Sequence, residues 1–211
     1  KAYLDKNFHS EKLKALLTSQ WGDYGLPPGQ SSFGIHSTIV MHYANGAYFP
    51  VGGSSSIANT IIPVIQKTGG EVLVDVAVEK IIVENGKAVG VIAQKVKGEK
   101  TEYRASRIIS NTGARETFGR LLTGEESGSI REIIEKPGKG KSSVTVYIGF
   151  KDNPAKLGFK GENHWIYTTY DHDSIPAQNL ESSPLGCYLS FPSLKDPEAK
   201  SHTAEIIAFA D

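Results

Sequence analysis

The stretch EVLVDVAVEKIIVENGKAVGVIAQKV, from Glu71 to Val96, alternates apolar and polar residues on both sides of Asn85-Gly86. Alternation with a period of two is typical of a half-buried β-strand, and Asn-Gly between two such runs is a strong signal for a two-residue hairpin turn. The stretch therefore predicts an antiparallel hairpin. Two further short strands are predicted directly after it, at 100–103 and 107–110.

The segments before the hairpin follow a helical period instead. Ser10 is placed to cap a short amphipathic helix that runs to Gln20. A second helix is predicted to end near Asn45-Gly46. A third begins at the serine run 54–56 and ends at Gly69-Gly70, where glycine is typical of a helix end.

The segments after the hairpin predict two short helices and then a sheet. The helices are expected at 117–122 and 127–136, and strands at 144–150, 163–170, 187–191 and 203–210, separated by loops that contain Pro and Gly. The prediction is an α/β (α+β) chain whose later half is a mostly antiparallel sheet.

Composition excludes several classes of protein. The 211 residues contain 23 Lys+Arg and 23 Asp+Glu, so no net charge favours nucleic acid or an anionic membrane face. Cys187 is the single cysteine, which excludes an intramolecular disulfide. Because no run of about 18 apolar residues occurs, nothing in the sequence predicts a bilayer-spanning helix. We expect a cytoplasmic protein or one that lies on a membrane surface.

Three local patterns suggest chemistry without establishing it. Gly140-Lys141-Ser142 imitates the end of a P-loop, but the required upstream glycine is replaced by Glu135, so a solvated loop is the better interpretation. Asp171-His172-Asp173 is expected to form an exposed polar turn, since no second cluster completes a metal shell. We predict no metal site, and no catalytic constellation can be assembled from the spacing of residues.

A longer ordered pattern resembles a known family. Tyr48-Phe49-Pro50 followed by Gly52-Gly53-Ser54, then Gly69-Gly70 before a strand, Val78, and Ser110-Asn111-Thr112-Gly113 at a strand end, resemble the phytoene-desaturase-like flavoproteins. FPSLKDPEA, from Phe191 to Ala199, resembles a late segment of the same proteins. Within the family the pattern is most similar to the retinol saturase and carotenoid isomerase branch.

The resemblance implies a division of the chain. It implies part of a Rossmann-like FAD-binding domain together with a mostly antiparallel-sheet substrate domain. Residues 1–49 would be substrate-domain helices, 50–122 a returning FAD-domain segment, and 123–211 the substrate-domain sheet. The Gly-rich turn that holds the FAD pyrophosphate in this family is not in this sequence. We therefore expect an internal portion of a longer enzyme that does not retain FAD by itself.

The resemblance also assigns candidate site residues. Val78 matches a position whose main-chain groups meet the adenine ring, and the alternative is an ordinary strand valine. The glycines at 52, 53 and 113 match turns in which the backbone approaches a planar ring. The alternative is that they start a helix or form a plain turn. The cofactor-binding candidates are Val78, Asn111, Thr112, Gly113, Gly52 and Gly53. The substrate-proximal candidates are Ser54, Ser55, Tyr43, Tyr48 and Phe49, the three aromatic ones being equally compatible with core packing.

The implied function is a flavin oxidoreductase that acts on a double bond of a hydrophobic polyene, such as a carotenoid or a retinoid. A saturase or desaturase is the first interpretation, and a cis-trans isomerase or a non-enzymatic module that binds a hydrophobic ligand or partner is the alternative. A polyene resides in membranes, so peripheral membrane contact by the whole protein is expected, with the first two helices as the candidate surface.

Overall fold

A computed structural model describes residues 1–124, 127–135, 142–177 and 183–210 of the chain. The chain forms two compact units. One contains Lys1–Ile61 and Gly140–Asp211, and the other contains Ile62–Lys139. Helices and antiparallel sheets occur together, so the predicted mixed fold class is confirmed. Within these ranges, no helix combines the length and the apolar character needed to cross a membrane.

The first unit is built on a four-stranded antiparallel sheet. Its strands are β4 (Ser142–Phe150), β5 (His164–Tyr167), β6 (Gly186–Ser190) and β7 (His202–Ala210), in the spatial order β4-β7-β6-β5. The four predicted strands are confirmed, although the one expected at 163–170 is shorter. Trp165 pairs with Tyr188, and Tyr188 pairs with Ile207, which places these three side chains in one row on one face.

The helices of this unit are α1 (Ala2–Asn7), α2 (Glu11–Leu17), a 3₁₀ helix (Ser19–Asp23), α3 (Phe33–His42), the start of α4 (Ser55–Lys67), and α7 (Pro192–Lys195). Most of these helices precede the strands, and α7 lies between β6 and β7. The predicted cap of α2 is confirmed, because the Ser10 hydroxyl accepts a hydrogen bond from the Leu13 amide at 3.3 Å. The other two helices predicted in the first seventy residues also occur, as α3 and α4.

The 3₁₀ helix packs directly against the sheet. Trp21 is fully buried and stacks on Phe209 of β7 with ring centroids 4.6 Å apart. A Cβ added to Gly22 would lie 2.4 Å from the Trp165 ring, so glycine is required for this approach. The 3₁₀ helix is therefore packed against the aromatic side chains of the four-stranded sheet.

The second unit contains the hairpin. β1 (Val76–Glu84) pairs antiparallel with β2 (Lys87–Lys95), which pairs with β3 (Lys100–Arg104). Asn85 and Gly86 have φ values of 50° and 73°, the signs that a type I′ turn requires. The predicted two-residue turn is confirmed. Ile81 and Ala93 are buried on the sheet.

Two strand predictions in this unit are wrong. The strand expected at 107–110 has no regular secondary structure, and Ile109 is 94% exposed. The first strand begins at Val76 rather than Glu71, after Asp75 at a φ of 57°. Alternation supplies a face to bury, but a strand also needs a hydrogen-bonding partner, and no described strand pairs with either segment.

A short helical segment packs beside β1. α5 (Ala114–Glu116) continues into a π-helical turn, Thr117–Leu121, and α6 spans Gly128–Glu135. The helices predicted at 117–122 and 127–136 are thus confirmed over the described residues. Gly140 and Lys141, on which the P-loop alternative depends, lie outside the described residues.

The Asp171-His172-Asp173 turn differs from its prediction. His172 is only 4% exposed and begins a 3₁₀ helix, His172–Ala177. Its ring lies 4.2 Å from that of Tyr167. Asp173 accepts hydrogen bonds from Lys1 Nζ at 2.8 Å and from the Gly29 amide at 2.6 Å. The expectation of an exposed turn is wrong for the histidine, because aromatic stacking buries its ring. Across the described ranges, no group of three or more His, Cys, Asp or Glu residues is arranged to hold a metal.

Candidate functional site

An aromatic cavity of about 630 Å³ lies on the inner face of the four-stranded sheet, between that face and the 3₁₀ helix Ser19–Asp23. Its volume falls within the roughly 300–1,000 Å³ usual for small-molecule sites. Trp165 and Tyr188 form its wall with ring centroids 4.9 Å apart. The lining residues are Gln20, Gly22, Asp23, Tyr43, Ala47, Ser143, Asn163, Trp165, Tyr188, Ile207 and Phe209.

One carboxylate belongs to this aromatic cavity. Asp23 and Tyr43 both line it, and Asp23 is the one charged side chain among the lining residues. Partial burial raises the pKa of Asp23, while the Tyr43 hydroxyl and the nearby His42 oppose that rise. Burial and the Asp23 charge together raise the pKa of Tyr43. The other lining residues combine three aromatic side chains with the polar side chains of Gln20, Ser143 and Asn163.

A second cavity, also of about 630 Å³, shares Ala47, Asn163 and Tyr188 with the first. We call it the charged cavity, because Lys195 and Glu205 line it together with Tyr48 and Phe49. Lys195 Nζ donates to the Ser190 hydroxyl at 2.6 Å and to Asn163, and it lies 5.7 Å from the centre of the Phe49 ring. Burial lowers the pKa of Lys195, and the Glu205 charge works against this.

The three aromatic candidates from the sequence therefore line one continuous pair of cavities. Tyr43 lines the aromatic cavity, and Tyr48 and Phe49 line the charged one. Tyr48 is 92% exposed, so it is not a core residue. The structure brings these residues together at the end of α3, in the segment that leads to the glycine turn.

The glycine turn follows Pro50 in the same unit. Gly52 and Gly53 have φ values of 83° and 76°, which L side chains rarely adopt. The Gly52 amide donates to Asp196 Oδ1 at 3.1 Å, which anchors the turn to the end of α7. The amide of Ile57 donates to the Ser54 carbonyl, and the Ser55 hydroxyl donates to the Gly52 carbonyl, so both serines belong to the start of α4.

In the second unit, Val78 lies on β1, an edge strand of the three-stranded sheet. The pairing register shifts between Val78 and Lys80, which is a β-bulge next to the candidate. The Val78 carbonyl accepts a hydrogen bond from Arg120 Nη2 at 3.3 Å. That bond ties the Val78 carbonyl to the π-helical turn Thr117–Leu121.

The Asn111, Thr112 and Gly113 loop is tied to the same helical segment. The hydroxyls of Ser110, Thr112 and Thr117 lie within 2.7–3.2 Å of one another. Gly113 has a φ of 88° and an open approach, since a Cβ added there would have no atom within 4 Å. Thr117 and Arg120 are one helical turn apart, so one short segment fixes both Val78 and this loop.

Comparison with known proteins shows what the whole chain is similar to. Residues 28–128 match the GMC oxidoreductase family. The all-trans-retinol 13,14-reductase of Danio rerio is 33% identical over 96% of this chain and 36% of its own length. The Homo sapiens protein of the same name is 34% identical over 89% of this chain and 32% of its own length. The chloroplastic prolycopene isomerase of Arabidopsis thaliana is 35% identical over 77% of this chain and 26% of its own length.

This chain belongs to the retinol reductase and carotenoid isomerase family of FAD oxidoreductases. The family resemblance identified in the sequence is thereby confirmed. The chain spans about a third of the length of the two retinol reductases. Similarity over whole segments tests no individual site residue, so the assignments at Val78, Gly52 and the loop 111–113 stay predictions.

Three residues of this retinol reductase and carotenoid isomerase homologue are not identified as site candidates by the sequence. They are Asp23, Lys195 and Arg120, and each acquires its partner through folding. Asp23 lines the same cavity as Tyr43, Lys195 donates a hydrogen bond to Asn163, and Arg120 donates one to the Val78 carbonyl. Each pair is separated by 20 residues or more in the sequence. Sequence reasoning misses them because a lone charged residue in a short helical segment looks the same as a solvated surface residue.

Proposed function

We propose that the protein containing this chain is a flavin-dependent oxidoreductase that saturates a double bond of a polyene such as retinol. The observation that carries the proposal is the agreement between the aromatic cavity and the similarity to retinol 13,14-reductases over most of this chain. The chemistry of addition needs one hydride and one proton for each double bond. FAD in its reduced form would supply the hydride when bound.

The second unit fits the role of holding part of FAD. Val78 lies on the edge strand β1, and Gly113 leaves the approach to the loop 111–113 open. Main-chain groups at such positions can hydrogen-bond an adenine ring without a side chain. We infer that Val78, Asn111, Thr112 and Gly113 contact the cofactor, and that Gly52 and Gly53 offer a second backbone approach.

We further propose the domain assignment for the complete enzyme. Residues 1–49 and 123–211 would belong to the substrate domain, and residues 50–122 to the FAD domain. The exposed segment 72–74 and the exposed Ile109 support it, since apolar extended chain at 45–94% exposure has the composition of a sheet strand that is covered by further chain. We expect this chain alone to bind FAD too weakly to copurify with it.

The cavities of the first unit would hold the polyene. Trp165, Tyr188 and Phe209 present flat apolar surfaces suited to a conjugated chain, and Tyr43, Tyr48 and Phe49 extend the wall. Ser54 and Ser55 would lie at the substrate side of the glycine turn. These residues orient the ligand and exclude water, which is the contribution expected from the protein when a cofactor performs the redox step.

Isomerisation is the second candidate, favoured by the 35% identity to a prolycopene isomerase. The two activities differ in their products. A saturase product contains two more hydrogens than the substrate, whereas an isomerase product has the same mass and a changed double-bond geometry.

Peripheral membrane contact is proposed for the whole protein. An apolar groove of about 420 Å³ lies between α1, α2 and α3, lined by Tyr3, Phe33 and Met41 among others. These three side chains are 51%, 54% and 69% exposed. A polyene must leave a bilayer to be bound, and an exposed apolar surface of this kind inserts into lipid headgroups. Cosedimentation of the full-length protein with phosphatidylcholine vesicles, lost in a Phe33→Glu and Met41→Glu variant, would support it.

The function is tested with the full-length protein loaded with FAD. Anaerobic incubation with a reductant and all-trans-retinol, followed by chromatography and mass spectrometry, is expected to yield a dihydro product. An unchanged retinol pool, with prolycopene converted to a geometric isomer under the same conditions, would favour the second candidate. The absence of both conversions would contradict the proposed function.

A further inference from the structure

We propose that Asp196 is a positioning residue, which holds the Gly52–Gly53 turn in the conformation that lets its backbone approach FAD. The inference rests on the proposed function, in which these two glycines offer a backbone approach to the cofactor. It adds to that function a residue from a distant part of the chain. Asp196 directly follows α7, in the stretch proposed for the substrate domain, and Gly52 lies 144 residues earlier, in the stretch proposed for the FAD domain.

The turn uses the amide of Gly53 internally and leaves the amide of Gly52 to a partner outside it. The Gly53 amide donates to the Pro50 carbonyl at 3.0 Å, which closes a four-residue turn. Gly52, with a φ of 83°, is the third residue of that turn, where a type II turn requires a positive φ. The Gly52 amide donates instead to Asp196 Oδ1 at 3.1 Å, and the same oxygen accepts from the Glu198 amide at 3.0 Å. Asp196 therefore supplies a bond that the closure of the turn does not provide.

Holding this turn before the cofactor binds favours binding. Two consecutive glycines have many alternative conformations, because glycine loses more conformational freedom on ordering than any other residue. A turn that became ordered only on binding would weaken affinity by the free energy of its ordering. A Cβ added at Gly53 would have no atom within 4 Å, so the approach at that residue stays open while Asp196 holds its neighbour.

Asp196 is itself held in place by the elements around α7. Ser193 of α7 and Thr203 of β7 are joined by two hydrogen bonds, since the Thr203 amide donates to the Ser193 hydroxyl at 2.9 Å and that hydroxyl donates to the Thr203 carbonyl at 3.2 Å. Phe191, directly before α7, is 2% exposed and stacks on Phe159 with ring centroids 4.3 Å apart. The carboxylate is thus carried on a helix fixed to the sheet, as a residue that positions another group requires.

The same short helix reaches the charged cavity. Lys195, the last residue of α7, lines that cavity, with its Nζ bonded to the Ser190 hydroxyl at 2.6 Å and 5.7 Å from the centre of the Phe49 ring. Lys195 and Asp196 are therefore placed at the two ends of one short segment, 49–52. Through them α7 connects the cavity proposed for the polyene with the turn proposed for the cofactor.

The test uses the full-length protein freed of FAD and then titrated with FAD, with the dissociation constant measured by quenching of flavin fluorescence. Hydrogen exchange of the Gly52 amide in the FAD-free protein reports on the turn without the cofactor. Asp196→Ala is expected to speed that exchange and to raise the dissociation constant about tenfold, since a hydrogen bond to a charged group contributes at least that much. Asp196→Asn keeps an oxygen acceptor at the same place, so its dissociation constant should stay within about threefold of the wild-type value.

Asp173→Ala is the matched control. Asp173 accepts a hydrogen bond from the Gly29 amide at 2.6 Å, also across 144 residues, and it is not among the lining residues of the aromatic or the charged cavity. The control variant loses a bond of the same kind elsewhere in the first unit, so it measures what destabilisation alone does. Its dissociation constant for FAD is expected to equal that of the wild type.

Four results would overturn the proposal. They are an unchanged dissociation constant in Asp196→Ala, unchanged exchange of the Gly52 amide in that variant, a comparable rise in Asp173→Ala, or a failure of Asp196→Asn to retain binding. If Asp196→Ala does not fold, Asp196→Glu replaces it, because the added methylene displaces the carboxylate from the Gly52 amide, and unaltered exchange or affinity in that variant overturns the proposal. Turnover of all-trans-retinol by the wild-type protein loaded with FAD tests the proposed function separately, so the two failures are distinguishable.

Discussion

Replacing Gly22 by alanine tests the packing that forms the aromatic cavity. A Cβ at position 22 would lie 2.4 Å and 2.5 Å from two atoms of the Trp165 ring and 3.3 Å from Phe209. Ordinary carbon–carbon contacts need about 3.5–4.0 Å, so the ring would have to move by roughly 1 Å or more. Trp165 also contacts Tyr188, at 4.9 Å, and Tyr167, at 6.4 Å between ring centroids, so a shift of its ring changes these contacts.

Two opposing contributions set the expected change in stability. Overpacking typically costs about 1–3 kcal/mol, and alanine in place of glycine in a helical segment returns roughly 0.5–1 kcal/mol. The free energy of unfolding should therefore fall by about 1–2 kcal/mol. With a urea m-value of about 2 kcal/mol per molar, the midpoint would fall by roughly 0.5–1 M.

Tryptophan fluorescence follows this transition, because the two tryptophans of the chain, Trp21 and Trp165, both belong to the first unit. Gly149→Ala, on β4 with no atom within 4 Å of the added Cβ, is the matched control and should be neutral or stabilising. In a Trp165→Leu background the Gly22→Ala cost should mostly disappear, with Trp21 reporting. An equal cost in both backgrounds would refute the assignment of the clash to Trp165.

Three further predictions concern other parts of the fold. Gly86→Val should lower the stability of the hairpin unit by about 1–3 kcal/mol, because Gly86 has a φ of 73°. Hydrogen exchange of the β1–β2 amides measures this loss, with Lys87→Val as the control. Unchanged protection of these amides would contradict the turn assignment. Thr117→Val should lower the free energy of unfolding by about 0.5–1.5 kcal/mol and speed amide exchange at 111–113, since it removes a hydroxyl bonded to Ser110 and Thr112. Unaltered exchange at 111–113 would show that the loop does not depend on the Thr117 hydroxyl. Burial lowers the pKa of His172 below 6.5, although the charges of Asp171 and Asp173 oppose this. The unfolded chain therefore binds the proton more readily than the folded one. The stability of the fold should fall as the pH drops below about 6.5, by at most about 1.4 kcal/mol per pH unit. His172→Phe should remove that slope in urea titrations, and a slope that persists would assign it to another group.

Much of the fold is predictable because its signals are local. The Asn85-Gly86 turn specifies positive φ values by itself, and Ser10 caps α2 through a bond to a residue three positions away. The four strands of the first sheet follow from alternating runs bounded by Pro and Gly. Each of these elements depends on neighbours in the sequence, so a single chain without relatives suffices to predict them.

The rest depends on contacts between distant residues. The segment 107–110 has strand composition but no described partner, which alternation alone cannot reveal. Asp171-His172-Asp173 is expected from its sequence to be exposed, yet the Tyr167 ring covers His172. The family resemblance indicates Tyr43 as a wall residue, but its neighbour in the aromatic cavity, Asp23, becomes visible only with the fold.

The most direct test of the proposed flavin chemistry is the redox response of the flavin in the full-length protein. The protein, purified with FAD and reduced under anaerobic conditions, is mixed with all-trans-retinol while flavin absorbance is recorded. We predict reoxidation of the flavin with one dihydroretinol formed per flavin. A full-length protein that binds no FAD, or whose reduced flavin is unaffected by retinol and by prolycopene alike, would contradict the proposed function.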